Sequence, residues 1–315
     1  MNGSNIKAIK PMVTLLPHFE HNMIHFGNII QLLLTELCGI QMLKGDNMQK
    51  TIFITDASTG LGKSTAKLFQ SRGWKVIATM RNPEKETELN LLENVTLWAL
   101  DVTNPQQINA VVQQVTESQP VDVVFNNAGY GLMGSLESVS DERLQRQINT
   151  NLLGVIRVTK AFIPHFRERQ GGLFITTTSI GGLIGFPLGS SYHATKWALE
   201  GWTESMAFEL STFNIGIKTV APGGIFTDFA SRSIDMNSHP DYASIEGKLW
   251  ASFEEMMKTA STAEQIAEVV YEAATDGKSQ LRYVAGQDAQ AFFNRLQEIG
   301  REANHNEVGK LFVSQ

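Results

Sequence analysis

The stretch Thr51-Ile52-Phe53-Ile54-Thr55-Asp56-Ala57-Ser58-Thr59-Gly60-Leu61-Gly62-Lys63-Ser64 decides the fold. Its first five residues are all β-branched or aromatic, which predicts a short buried strand. Glycines then crowd a corner, and helical spacing begins at residue 62. Glycines at such a corner let the backbone approach a phosphate, and the helix N-terminus adds free N–H groups and a partial positive charge. Two phosphate-cradling patterns overlap here. In Thr-Gly-x-x-x-Gly-x-Gly, Asp56 stands in place of the first glycine; in Gly-x-x-x-x-Gly-Lys-Ser, Ala57 does, while Gly62, Lys63 and Ser64 match. The corner by itself selects neither.

Working outward, short β-branched or apolar runs recur at 51–55, 75–79, 96–100, 121–125, 173–178, 216–220 and 281–284. Helical stretches separate them at 62–71, 105–118, 142–169, 190–210 and 263–275. Largely apolar strands alternating with helices predict an α/β fold, a single Rossmann-type doubly wound parallel sheet of about seven strands with helices on both faces. Ligands are then expected at the carboxyl ends of the strands. No repeat or Pro/Gly-rich linker divides residues 48–300, which are expected to be one domain, followed by a tail over 301–315.

Residues 1–47 differ from the rest. The apolar cluster Ile29, Ile30, Leu32, Leu33, Leu34 is interrupted by Gln31, Thr35 and Glu36, short of the roughly 20 apolar residues a membrane span needs. The pattern of a secretory signal is also missing, since His18, Glu20, His21 and His25 precede the apolar part. The run Lys44-Gly45-Asp46-Asn47-Met48 can be encoded by a purine-rich, ribosome-binding-like run before an ATG. The segment is therefore expected to be an N-terminal extension, either translated leader or loosely ordered, with the domain starting at Met48.

With 26 Lys and Arg against 32 Asp and Glu, the net charge is −6, which argues against a nucleic-acid-binding surface. The single cysteine, Cys38, forms no intramolecular disulfide and no Cys-x-x-Cys pair offers a metal site. A cytoplasmic setting without nucleic acid, membrane or metal partners is the expectation.

Tyr192 and Lys196 decide what the glycine corner serves. A spacing of four on the stretch 190–210 puts them on one helix face. A phenol of ordinary pKa near 10 becomes a useful acid and base at neutral pH only beside a cation, and Lys196 can be that cation. Ser179, thirteen residues earlier, follows the strand at 173–178, where its hydroxyl can hold a substrate oxygen.

Together these residues resemble the short-chain dehydrogenase/reductase family from about residue 50 to 288, in texture most like the hydroxysteroid and retinol dehydrogenase branch with its bacterial relatives. Thr55 to Gly62 matches the family's cofactor turn, Asn126-Asn127-Ala128-Gly129 its Asn-Asn-Ala-Gly element, and Asn151-Leu152-Leu153-Gly154 its helix asparagine. Pro222-Gly223 with Thr227 matches the element after the sixth strand.

The resemblance implies an oxidoreductase interconverting a carbonyl and an alcohol by hydride transfer. Tyr192 would be the acid/base, Lys196 would lower its pKa and hold the cofactor ribose, Ser179 would bind the reacting oxygen, and Asn151, not Asn149, would anchor a water behind Lys196. The cofactor would lie on Thr55, Ser58, Gly60, Leu61, Gly62, Asp101, Val102, Asn127, Ala128, Gly129, Tyr192, Lys196, Pro222, Gly223 and Thr227. Arg81 follows the second strand, where an arginine pairs with an adenosine 2′-phosphate and an aspartate would repel it, so NADP(H) is expected over NAD(H).

Asp56 departs from the pattern. A positive φ there would strain an aspartate, and its carboxylate would repel the cofactor phosphates. A weakened, nucleotide-sensing relative is therefore the alternative to an enzyme. A nucleoside triphosphatase using Lys63, Ser64 and Asp101 is a third reading.

Phe226, Phe229, Met236, Tyr242, Leu249, Trp250, Phe253, Met256 and Met257 populate a predicted lid at about 225–260, and Gly131, Met133, Gly134 and residues 185–188 the facing wall. A small apolar substrate is expected. The family's habit of pairing the helices equivalent to 142–169 and 190–210 implies a homodimer or homotetramer.

Overall fold

The computed structural model describes residues 49–226 and 233–313. The chain divides into two units, of which only the second, 49–315, contains described residues. The expected extension at 1–47, Cys38, Thr227 and Phe229 lie outside the described residues.

In chain order the elements are β1 (Thr51–Ile54), α1 (Gly60–Ser71), β2 (Lys75–Met80), β3 (Val95–Ala99), α2 (Pro105–Ser118), β4 (Val123–Asn126), β5 (Gly131–Met133), α3 (Asp141–Ile148), α4 (Val155–Glu168) and β6 (Gly172–Thr177). Then follow α5 (Ser190–Ser211), β7 (Ile215–Pro222), β8 (Ile225–Phe226), β9 (Ile234–Met236), α6 (Ala243–Met257), β10 (Ser261–Thr262), α7 (Ala263–Thr275), β11 (Arg282–Ala285), α8 (Gln287–Ile299) and α9 (Arg301–Phe312).

Seven strands form one parallel sheet in the order β11-β7-β6-β4-β1-β2-β3. The chain runs outward from β1 to β3, then returns to place β4 against the other side of β1. This reversal leaves a crevice at the carboxyl ends of β1 and β4, where a doubly wound sheet binds ligands.

Alternation along the strands builds two cores. Ile52, Ile54, Val76, Ala78, Val123 and Phe125 face one layer, which contains Phe69 of α1 and Val270 of α7. Phe53, Ile77, Val124 and Phe174 face the other, with Val112 of α2 and Phe162 and Phe166 of α4. The central strands β1 and β4 hide both faces, so their residues read as an apolar run rather than an alternating one, whereas the edge strand β3 is partly exposed.

The structure departs from the sequence expectations in three places. The single helix expected over 142–169 is broken into α3 and α4 by a π-helical stretch, Asn149–Gly154. There Asn151 turns inward to the backbone of Tyr130, and Gly154 lies so close to Val102 that an added Cβ would be 3.0 Å from its Cγ2. Two small parallel pairs, β5 with β9 and β8 with β10, fasten the lid segment at both ends. Finally, the expected tail at 301–315 is helix α9 through Phe312, and Val308 and Phe312, four apart, are buried with Ile180, Leu183, Ile184 and Leu296.

Candidate active site

The glycine corner folds as a cradle. Asp56 has φ 54° and Gly60 φ 53°. Thr55 Oγ1 accepts the N–H groups of Asn127 (2.9 Å) and Ala128 (3.0 Å), and Asn127 Nδ2 donates to Asp56 O at 3.0 Å, which joins the turns after β1 and β4. Gly62 is needed for that junction, since a Cβ on it would sit 2.3 Å from Asp56 O and 2.7 Å from Asn127 Nδ2. Helix α1 begins with no side-chain cap and no acidic residue in its first turn, so its N-terminal N–H groups face the cradle uncompensated. This donor set fits a pyrophosphate.

The triphosphatase reading fails on the partners of its key residues. Lys63 is paired with Glu88 (2.6 Å) and Glu86 (3.1 Å), and Ser64 donates to Glu264 at 2.8 Å. Asp101 follows β3 at the sheet edge, two strands from β1, and its carboxylate accepts Thr103 N and Oγ1. None of these groups faces a phosphate on the cradle.

The cradle opens into a cavity of about 640 Å³. Of the expected cofactor residues, Gly60, Leu61, Asn127, Gly129, Tyr192, Lys196, Pro222 and Gly223 line it, as does Asp56. Thr55, Ser58, Gly62 and Ala128 do not line it; Thr55 and Gly62 shape the turn from behind. Arg81, Asp101 and Val102 lie outside the cavity: Arg81 is exposed just past β2, and Val102 is buried against Gly154. Arg81 makes no hydrogen bond or ion pair with the described residues, which leaves its guanidinium open to an anion.

Ser179, Tyr192 and Lys196 converge on the cavity floor. Ser179 Oγ accepts the Gly181 N–H at 3.0 Å. Lys196 Nζ lies 5.8 Å from the centre of the Tyr192 ring and donates to Thr177 O at 2.8 Å. Burial drives Lys196 down to about 8, opposed by the negative charge of Glu200 one helical turn on. Burial pushes the Tyr192 phenol above its ordinary range, and a hydrogen bond with Ser179 pulls the other way. Asn151 is fully buried, accepting Tyr130 N at 3.0 Å and donating to Tyr130 O at 2.8 Å. A Cβ placed on Gly129 would be 3.4 Å from Asn151 Oδ1 and 3.7 Å from Lys196 Nζ, so both groups address one spot.

Beyond this floor the wall is largely apolar. Met133, Phe186, Pro187, Met236, Leu249, Trp250, Phe253, Met256 and Met257 line it as expected. Phe226, Tyr242, Gly131, Gly134, Gly185 and Leu188 do not, and Phe226 is 68% exposed. Sequence reasoning missed His193, Asp288, Phe292, Leu311 and Phe312, all of which contribute to the wall. The spacing of four between Val308 and Phe312 is the signal, a faint one beside the polar residues before it, that marks α9 as a packed helix. Among the described residues no helix is long and apolar enough to cross a membrane, and no cluster of His, Cys, Asp or Glu is placed to hold a metal.

A family model described as short chain dehydrogenase matches residues 50–238. An uncharacterized oxidoreductase of Schizosaccharomyces pombe is 36% identical over 208 residues, covering 66% of this chain and 88% of the relative. Retinol dehydrogenase 8 of Bos taurus is 31% identical over 221 residues, covering 67% and 70%. The solved structure of ElxO with NADP bound superposes with a TM-score of 0.67 at 28% identity, covering 78% of this chain and all of that one. The chain belongs to the short chain dehydrogenase family and is a nucleotide-dependent oxidoreductase acting on CH–OH groups.

Proposed function

We propose that the protein is an NADP(H)-dependent enzyme interconverting a carbonyl and an alcohol on a small apolar substrate, with Tyr192 as acid and base. The observation that carries this reading is the convergence of Ser179, Tyr192 and Lys196 at the floor of a cavity whose outer wall is apolar. The cofactor supplies the hydride when bound. In reduction the Tyr192 phenol gives its proton to the carbonyl oxygen, and in oxidation the phenolate removes one from the alcohol. Ser179 holds that oxygen beside Tyr192. The Lys196 ammonium stabilises the phenolate against a burial that disfavours it. Asn151, anchored on Tyr130, faces the same spot as Lys196 and holds the water through which Lys196 exchanges protons.

For cofactor choice, the exposed guanidinium of Arg81 and the NADP carried by ElxO support NADP(H), with NAD(H) the weaker ligand. The same family supports a homo-oligomer. One observation favours a second reading, a nucleotide sensor: Asp56 holds the strained backbone expected of a glycine and lines the cavity with a carboxylate.

A titration with NADPH and NADH, read by fluorescence and melting temperature, followed by a panel of apolar ketones and aldehydes, tests the proposal. NADPH is expected to bind 10- to 100-fold tighter than NADH, as one charged phosphate contact supplies about 1.5–3 kcal/mol. Arg81→Gln is expected to erase that preference while leaving NADH affinity unchanged. Equal affinity for both cofactors in the wild type would overturn the role of Arg81. NADPH binding without turnover across the panel would favour the sensor.

A further inference from the structure

His193 is spent in neither binding nor proton transfer as described so far, yet it is buried against the active site. It follows Tyr192 in the first turn of α5, and a step of about 100° carries its side chain off the Tyr192–Lys196 face. The ring meets the loop that joins β6 to α5. Its Nδ1 lies 2.6 Å from Gly181 O, and its Nε2 accepts the Phe186 N–H at 3.2 Å. A carbonyl oxygen has no proton to give, so Nδ1 carries the proton and Nε2 is the acceptor: both bonds require the neutral ring. The fit is tight, since a Cβ on Gly181 would come within 2.8 Å of the ring and one on Gly189 within 3.1 Å.

The consequence reaches the chemistry through one residue, Gly181. Gly181 gives its carbonyl to His193 and its N–H to Ser179 Oγ at 3.0 Å. Ser179 in turn lines the same cavity as Tyr192 and draws its phenol down against the effect of burial. At the other end of the loop, Phe186 packs its ring 5.4 Å from Phe292 on the cavity wall.

We propose that His193 is a positioning residue: its neutral imidazole staples the loop between β6 and α5, setting the Ser179 hydroxyl through the backbone of Gly181 and the cavity wall through the backbone of Phe186. The proposal rests on the carbonyl–alcohol reading above. Protonation at Nε2 would set a second donor against the Phe186 N–H and release the loop. The surroundings offer a cation nothing: Tyr192 is the titratable neighbour on α5, the loop presents Gly181, Phe186 and Gly189, and Met133 of β5 and Phe292 of α8 lie beyond. Burial accordingly holds the ring below its ordinary value, with the two backbone contacts opposing and no charged side chain contributing.

The test compares the full-length wild type with His193→Phe and His193→Gln, the latter keeping one donor and one acceptor. For His193→Phe, kcat/KM for a ketone active with the wild type is expected to fall about 10- to 100-fold, the scale of an ångström-level misplacement. The Kd for NADPH should stay within about twofold, since no cradle residue touches the ring, and His193→Gln should recover part of the loss. Hydrogen exchange of the 180–187 segment should rise in His193→Phe, and imidazole ¹⁵N NMR of the wild type should show a neutral Nδ1–H ring between pH 6 and 8. An unchanged kcat/KM and exchange rate in His193→Phe would overturn the proposal, as would a charged ring at pH 7. If His193→Phe fails to fold, His193→Gln and the wild-type NMR decide it. Should the wild type reduce no carbonyl, the function reading falls while exchange and NMR still settle whether His193 staples the loop.

Discussion

Replacing Lys196 with methionine removes the charge that makes Tyr192 useful and keeps most of the side-chain volume. The Nζ lies 5.8 Å from the centre of the Tyr192 ring, and at an effective dielectric of about 20 a unit charge at that distance from the phenolate, with Lys196 protonated, is worth about 3 kcal/mol. Divided by 1.36 kcal/mol per unit, that is a shift of roughly two pH units in Tyr192. In Lys196→Met the acid limb of the alcohol-oxidation profile, where activity rises as Tyr192 ionises, should move up by about that amount, and kcat/KM near pH 7 should drop about 100-fold.

Stability should respond differently. Burial holds Lys196 at about 8 in the native state, while the unfolded side chain keeps its proton up to its ordinary value near 10.5. Unfolding therefore takes up a proton between those values, and stability rises with pH across that window. Below pH 8 the burial penalty is fully present, about 3 kcal/mol, and Lys196→Met relieves it. Against this stands the Thr177 carbonyl left without its donor, costing about 1–3 kcal/mol. The variant should accordingly unfold within about 2 kcal/mol of wild type at pH 7 by urea titration, with the comparison turning toward the wild type as pH rises from 8 to 10. A profile that keeps its wild-type acid limb in Lys196→Met would refute the electrostatic argument and leave Lys196 only a binding role.

Three further outcomes follow from the same geometry. Asp56→Gly should tighten NADPH binding several-fold by removing a like charge from the cradle, with a nearly unchanged melting temperature because relieved strain at φ 54° is offset by the greater freedom of glycine in the unfolded chain; calorimetry checks both. Gly62→Ala should cost about 1–3 kcal/mol in urea unfolding and weaken NADPH binding, because its Cβ would force Asp56 O or Asn127 from their places. Phe312→Ala should cost about 3 kcal/mol and raise KM for apolar substrates, since this buried ring also lines the cavity.

Much of this molecule can be read in its sequence because the signals are local. Strand runs such as 51–55 are buried on both faces, and the spacing of Tyr192 and Lys196 is fixed by one helical turn. Asp56 is legible for the same reason, since a non-glycine residue in a glycine-rich corner announces its positive φ. The π-helical stretch at Asn149–Gly154 is not legible, because the partner that Asn151 meets there, the backbone of Tyr130, is brought to it only by the fold. The pairs β5 with β9 and β8 with β10 are two or three residues long and exist only by tertiary pairing. The fate of Lys63 was likewise hidden, because Glu86 and Glu88 reach it only across the folded chain. In α9, the polar run Arg301 to Asn306 masks Val308 and Phe312, whose burial depends on a partner surface made by residues 180–184 and α8.

The most direct test of the central claim is NADPH oxidation by the wild type and Tyr192→Phe on the same apolar ketone panel, with NADPH affinity measured for both. With the phenol in its proposed role of proton donor, Tyr192→Phe should bind NADPH with a Kd within about threefold of wild type and lose turnover by at least about 100-fold, the scale of general acid–base catalysis. Turnover by Tyr192→Phe at the wild-type rate would contradict the account.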